Sequence, residues 1–285
     1  MEKKEKSGIF PLLIGSSYVL MIVMNALASL LPINGKTTGE VSDSYPNLFA
    51  PAGITFAVWG VIYLLLAGYV VYQFIVFSKN RDATTTFTLI RVGVLFVISS
   101  ILNSVWIITW HYSFILASTV LIVAILICLT LISLTLRNKK LTIREKLFVR
   151  LPFSVYFGWI TVAVIANITI LLVDMGWNRF GLPEALWTLL LILIGAAIAS
   201  AVMIFNKDYF YILPVAWAYV GIILKHIDAD GFNRRYPTVY FAAAVGIAMM
   251  ILSLVYSIIL RNLPKSKNPA KEDDKTVKEQ LSDEA

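Results

Sequence analysis

Eight apolar runs separated by short polar stretches dominate the chain. They lie near 9–32, 52–77, 86–110, 113–136, 147–173, 185–205, 209–225 and 238–260. Most reach the roughly twenty residues that a helix needs to cross the ~30 Å hydrocarbon core of a bilayer. Apolar and polar positions do not alternate with period two, as they would in the strands of a membrane barrel. An open sheet at that depth would leave its edge N–H and C=O groups unpaired. The pattern therefore predicts an all-α, polytopic membrane protein, a bundle of about eight transmembrane helices. The seventh run is the shortest and contains Pro214, so its full crossing is left open.

Composition agrees. Of 285 residues, 59% are apolar and 14% are charged, against about 25% charged in soluble domains. The formal charge of +7 invites a nucleic-acid reading, but its placement points to topology. Cytoplasmic loops of membrane proteins carry excess Lys and Arg. With the N-terminus inside, 19 of the 24 basic residues fall on the inner side, Arg137, Lys139, Lys140, Arg144 and Lys146 among them. The sequence thus predicts a multi-pass protein of the cell membrane with both termini cytoplasmic, bound to membrane lipids and not to nucleic acid. The single cysteine, Cys128, permits neither an intrachain disulfide nor a thiolate cluster. The first run is too long for a signal-peptide core and lacks a small-residue cleavage site, so it reads as a span that is kept.

Two segments outside the spans differ in kind. The stretch 33–50 is polar and turn-rich but ends in Tyr45, Leu48 and Phe49; it is either a cover over a cavity mouth or a plain connector. Residues 262–285 mix Lys, Glu and Asp with Pro264 and Pro269 and offer little to bury, so disorder is expected there.

Polar groups inside apolar spans are costly and mark function or interhelical bonding. Asn103, Trp106 and Trp110 share one face of span three, and Tyr156, Trp159 and Asn167 approximate a stripe on span five. Trp59 and Tyr63 lie one turn apart on span two, and Asn25 sits in span one. Two readings stand side by side: helix-to-helix hydrogen bonds worth about 1 kcal/mol each, or a pocket of indole and phenol rings oriented by amides. Trp110, beside His111 and Tyr112 at a helix end, also fits an interfacial belt. His111 and His226 have no carboxylate at ligand spacing, so no metal site is expected. No phosphate loop, zinc motif or nucleophile–base order is present, and no catalytic residue is nominated. Gly195 with Ala199, and Ala242 with Gly246, are small-x-x-x-small pairs that mark close packing within the chain or in a homodimer.

Three stretches resemble the tryptophan-rich sensory protein family, TspO/MBR, whose animal members are called translocator protein. They are Pro51 with Val58-Trp59 and Tyr63; Leu102-Asn103-Ser104-Val105-Trp106; and Tyr156-Phe157-Gly158-Trp159 followed by Asn167. The likeness covers roughly 9–173. Val155 stands where the family has proline before the span-five tyrosine. Ile168 to Val173 holds none of the aromatic and basic residues of the family's sterol-recognition stretch. The resemblance implies a TspO-like five-helix domain over 1–174, a three-helix membrane extension over 175–261 and a charged cytoplasmic tail over 262–285. It also implies a ligand-binding or sensory function, with a porphyrin-like or other apolar small molecule held by Trp59, Tyr63, Asn103, Trp106, Trp110, Tyr156, Trp159 and Asn167. The loop after span one would be the lid. A permease subunit and a tetrapyrrole-modifying enzyme are the alternatives.

Overall fold

The computed structural model describes residues 2–31, 33–77 and 83–262, and the side chains of all of these except 2–8, 83–86, 261 and 262. The expected disorder of the tail falls, from residue 263 on, outside the described residues. The helices are α1 (Glu2–Leu30), α2 (Thr38–Asp43), α3 (Val58–Phe77), α4 (Ala83–His111), α5 (Ile115–Arg137), α6 (Ile143–Glu145), α7 (Leu151–Asp174), α8 (Glu184–Asn206), α9 (Ile212–Ile227) and α10 (Pro237–Asn262). No strand occurs among the described residues. The chain is an all-α polytopic membrane protein: among the described residues, seven helical segments are long and apolar enough to cross a bilayer.

The eighth, α9, has 16 residues, or about 24 Å at 1.5 Å per residue, a turn short of the usual span. It nevertheless runs from one end of the bundle to the other. Asp208, just before it, lies 3.8 Å from Arg150 at the start of α7. Lys225 in its last turn meets Asp43 of α2 at 3.0 Å. These contacts define a basic end, near Arg150, and a lid end, near α2.

Burial orders the helices. From Pro152 to Val162 every residue of α7 is buried, as expected of a helix that is apolar all round and sits at the centre. Around it, α5, α3 and α9 pack directly, α4 joins α1 to α5, and α10 joins α8 to α9. Leu252, Val255, Tyr256 and Ile259 of α10 are exposed, as are Leu12, Val19 and Val23 of α1. Such outward apolar faces are stable against lipid.

The chain closes its helices with αL turns. Lys207 (φ 52°) ends α8, with its N–H directed to Ile204 O at 3.3 Å and that of Asp208 to Met203 O at 3.0 Å. This is the Schellman arrangement, which satisfies the last carbonyls of a helix. Gly176 (φ 65°) does the same for α7. The small residues singled out in the sequence lie where α8 and α10 pack closely; two of them also make room for one ring. A Cβ on Gly195 would come 2.5 Å from the Tyr219 hydroxyl, and one on Gly246 would come 2.7 Å from the Tyr219 ring. Tyr219 thus wedges between α8 and α10 and donates to Ile192 O at 2.5 Å.

Candidate functional site

The aromatic residues of three spans converge near the lid end. Trp59 is the hub: its ring stacks on Tyr63 at 5.4 Å and lies 6.0–6.2 Å from Tyr156, Trp159 and Trp106. Trp106 stacks in turn on Trp110 at 5.8 Å, and Phe56 meets Trp159 edge to face at 6.2 Å. Offset stacks and T-shaped pairs at these separations are the favoured geometries of aromatic rings. Trp110 is 4% exposed and donates to Thr38 O at 3.2 Å. It therefore packs with the other rings and is tied to the start of α2.

These rings enclose a cavity of about 50 Å³, lined also by Thr38, Ser42, Phe49, Ala166 and Asn167. No charged residue lines it. The indole N–H groups of Trp106 and Trp159 are buried without a hydrogen-bond partner. A buried donor left unpaired costs on the order of 1–3 kcal/mol, so each is an unfilled demand for an acceptor. A second chamber of about 290 Å³ lies on the other side of Trp59 and Phe56, lined by Asn25, Glu40, Asp43 and Tyr63 among others. Thr38, Phe56 and Trp59 border both spaces and form the partition between them.

The stretch 33–50 covers this end. Its short helix α2 is held by a capping box: Glu40 N–H donates to the Thr37 hydroxyl at 3.3 Å, and the Thr37 N–H to the Glu40 carboxylate at 2.7 Å. The Thr37 backbone N–H and then its hydroxyl hold the Glu40 carboxyl below its usual range. Further ties are Asn34 Nδ2 to His111 O at 3.1 Å, Leu48 N–H to Glu184 Oε1 at 3.2 Å, and the Lys225–Asp43 pair. The segment therefore reaches α4, α8 and α9 as well as the cavity mouth. Of the two readings open from sequence, the cover fits this placement.

The amides divide. Asn167 lines the cavity and accepts from the Ser118 hydroxyl at 3.3 Å. Asn103 does not line it. Its Oδ1 accepts from Asn25 Nδ2 at 2.7 Å and its Nδ2 donates to the Tyr156 hydroxyl at 3.2 Å. This fully buried chain ties α1, α4 and α7 together behind Trp59. Of the residues proposed from sequence, Trp59, Trp106, Trp110, Trp159 and Asn167 line the cavity, Tyr63 lines the second chamber, and Asn103 and Tyr156 support them from behind.

Sequence reasoning missed two parts of the wall. Ala163, Ala166 and Ile170 continue the face of Trp159 at offsets of four, seven and eleven, a helical stripe that small apolar residues do not advertise. Ala218 and Ile222 come from α9, so a helix of the expected 175–261 extension forms one side of the cavity. The chain before α3 is bound to α9 as well: Ala52 N–H donates to Gly221 O at 3.0 Å, and Trp217 Nε1 to Thr55 O at 2.9 Å. His111 and His226 each turn Nδ1 to a carbonyl one turn back. No group of three or more His, Cys, Asp or Glu placed to hold a metal occurs among the described residues.

Fold and site together define a polytopic helical membrane protein with an aromatic cavity beneath a short lid. The profile of the TSPO-like protein family matches residues 11–256, and the chain belongs to that family. The match extends through α8, α9 and most of α10, well beyond the stretch where the motifs resemble TspO. No curated protein and no solved structure matches the chain.

Proposed function

We propose that this protein is a ligand-binding or sensory membrane protein of TspO type, which receives a flat, apolar small molecule of porphyrin-like character between Trp59, Trp106, Trp110 and Trp159. The observation that carries this reading is the pair of partnerless indole N–H groups on two of the tryptophans that line an uncharged aromatic cavity. They call for a ligand that presents acceptor atoms within an apolar ring system. The cavity, at about 50 Å³, is too small for such a ligand. Binding requires the Trp59–Phe56 partition to swing and the two chambers to merge under a displaced α2. Because Glu40 and Asp43 border the outer chamber, an uncharged porphyrin ester is expected to bind more tightly than the free diacid.

The test is a titration of the purified protein with both forms, followed by tryptophan fluorescence and absorbance. Trp159→Phe keeps a ring but removes a donor and is expected to weaken binding about fivefold to tenfold, the worth of one neutral hydrogen bond. Asn103→Ala breaks the chain behind the site and should lower stability by about 1–2 kcal/mol with little change in affinity. If affinity is unchanged in Trp159→Phe, the indole does not meet the ligand. Formation of a photoproduct during the titration would favour the tetrapyrrole-modifying enzyme.

The same proposal places the basic end in the cytoplasm, on the strength of the Lys and Arg bias. In intact cells, a cysteine at Ala229 should react with an impermeant thiol reagent. One at Asn138 should react only after lysis. The reverse pattern would invert the orientation.

A further inference from the structure

At the basic end, the helical turn Lys146–Arg150 just before α7 and the α8–α9 connection border a space of about 430 Å³ lined by Lys146, Arg150, Lys207, Asp208, Tyr209 and Phe210. Its chemistry differs from that of the aromatic cavity. Asp208 is 4% exposed. Its Oδ2 accepts from the Ser154 hydroxyl at 2.5 Å and lies 3.8 Å from Arg150 Nε. Its Oδ1 is buried and meets no hydrogen-bond donor in good geometry, although the nearby Phe210 backbone N–H helps to hold the carboxylate. Arg150 approaches only Oδ2, and at 3.8 Å, while its Nη2 donates to the carbonyls of Asn206 at 2.5 Å and Lys207 at 3.2 Å and so closes the end of α8. A buried carboxylate oxygen without a donor in good geometry is an expensive feature.

The rim of the space is the opposite. Lys146 and Lys207 are exposed, and neither ammonium has an acidic partner among the described residues. Tyr209 is half-buried and Phe210 exposed, the kind of amphipathic border found at lipid headgroup level. Phe205 and Leu213, near the same helix ends, are exposed apolar side chains.

We propose that this space is a binding site for the headgroup of an amine-bearing phospholipid, whose ammonium donates to Asp208 Oδ1 and whose phosphate diester lies between Lys146 and Lys207. A buried acceptor with two cations at its rim is complementary to a zwitterion with its cation innermost. The acyl chains then lie on the apolar surface of Phe205, Phe210 and Leu213. A phosphatidylglycerol headgroup satisfies the lysines but brings no cation to Asp208. A phosphatidylcholine headgroup brings a cation with no N–H to donate. Burial pushes the Asp208 carboxyl above its usual range, against the pull of Ser154, Arg150 and the Phe210 backbone N–H. The site is separate from the aromatic cavity and does not depend on what that cavity holds.

Delipidated full-length protein is to be mixed with phosphatidylethanolamine, phosphatidylcholine or phosphatidylglycerol in detergent, and lipid adducts counted by native mass spectrometry. The wild type should favour phosphatidylethanolamine by about tenfold, which corresponds to ~1.4 kcal/mol. Asp208→Asn should erase that preference and bind phosphatidylglycerol at least as well, since the repelling charge is gone. The double variant Lys146→Gln with Lys207→Asn changes only exposed side chains and keeps a residue tolerant of αL at 207. It should retain the wild-type melting temperature and lose most phosphatidylethanolamine adducts. Equal binding of the three lipids by the wild type would overturn the proposal. So would an unchanged preference in Asp208→Asn or, should that variant not fold, undiminished adducts in the lysine variant.

Discussion

Gly158→Ala is expected to lower stability by about 3 kcal/mol, at the top of the usual range for overpacking a core, and to weaken ligand binding with it. Gly158 lies on α7 where α9 begins. A Cβ there would overlap the backbone carbonyl oxygen of Tyr211 and come 2.7 Å from Pro214 Cγ. Neither obstacle can turn aside: one is helix backbone and the other a closed ring. The whole of α9 must shift, and Ala218 and Ile222 of the cavity wall shift with it. Gly60→Ala is the control, since a Cβ at Gly60 meets nothing within 4 Å. That change should be neutral, or stabilising by up to about 1 kcal/mol through helix propensity. Melting temperatures of both variants in one detergent decide the matter. Equal shifts would mean that α7 and α9 are not in the close contact described.

Ending the chain after Asp174 is expected to abolish ligand binding, by more than about tenfold, even where the first five long helices still insert. The five-helix region carries every residue of the family-like motifs, and from sequence it reads as a separable unit. In the folded protein, however, α9 supplies Ala218 and Ile222 to the cavity. It also anchors the segment that carries Phe56, through Gly221 O and Trp217. Without α9 the cavity opens to lipid on one side and Phe56 loses its support. A buried bond between α7 and α9, Thr161 Oγ1 with the Tyr211 hydroxyl at 2.6 Å, is lost as well. The truncated protein and the full chain are to be compared by the same fluorescence titration, with circular dichroism as the check on helicity. Retained affinity in the shorter chain would show that the extension only braces the site.

The sequence by itself determined the class of this protein and most of its helices. A run of twenty apolar residues has one stable backbone solution in lipid, because only a helix satisfies its own N–H and C=O groups there. That constraint is local, so it is legible in the pattern of residues. The faces of α4 and α7 were legible for a related reason: Trp106 and Trp110, or Trp159 and Asn167, share a side by helical period alone. What lies between helices was decided only by the tertiary structure. The period places Asn103 and Trp106 on one face, but the packing of α1 turns Asn103 to Asn25 and leaves Trp106 to the cavity. Ala218 and Ile222 carry no polar or aromatic mark, and their place in the site follows from the close approach that Gly158 and Gly221 allow α9. The meeting of Asp208 with Ser154 and Arg150 likewise depends on how the α8–α9 connection packs on the start of α7. These are pairings between residues some 50 to 190 positions apart in the chain. Helical period relates a residue only to its neighbours on one helix, and which helices touch is settled by how side chains of different sizes fill the space between them.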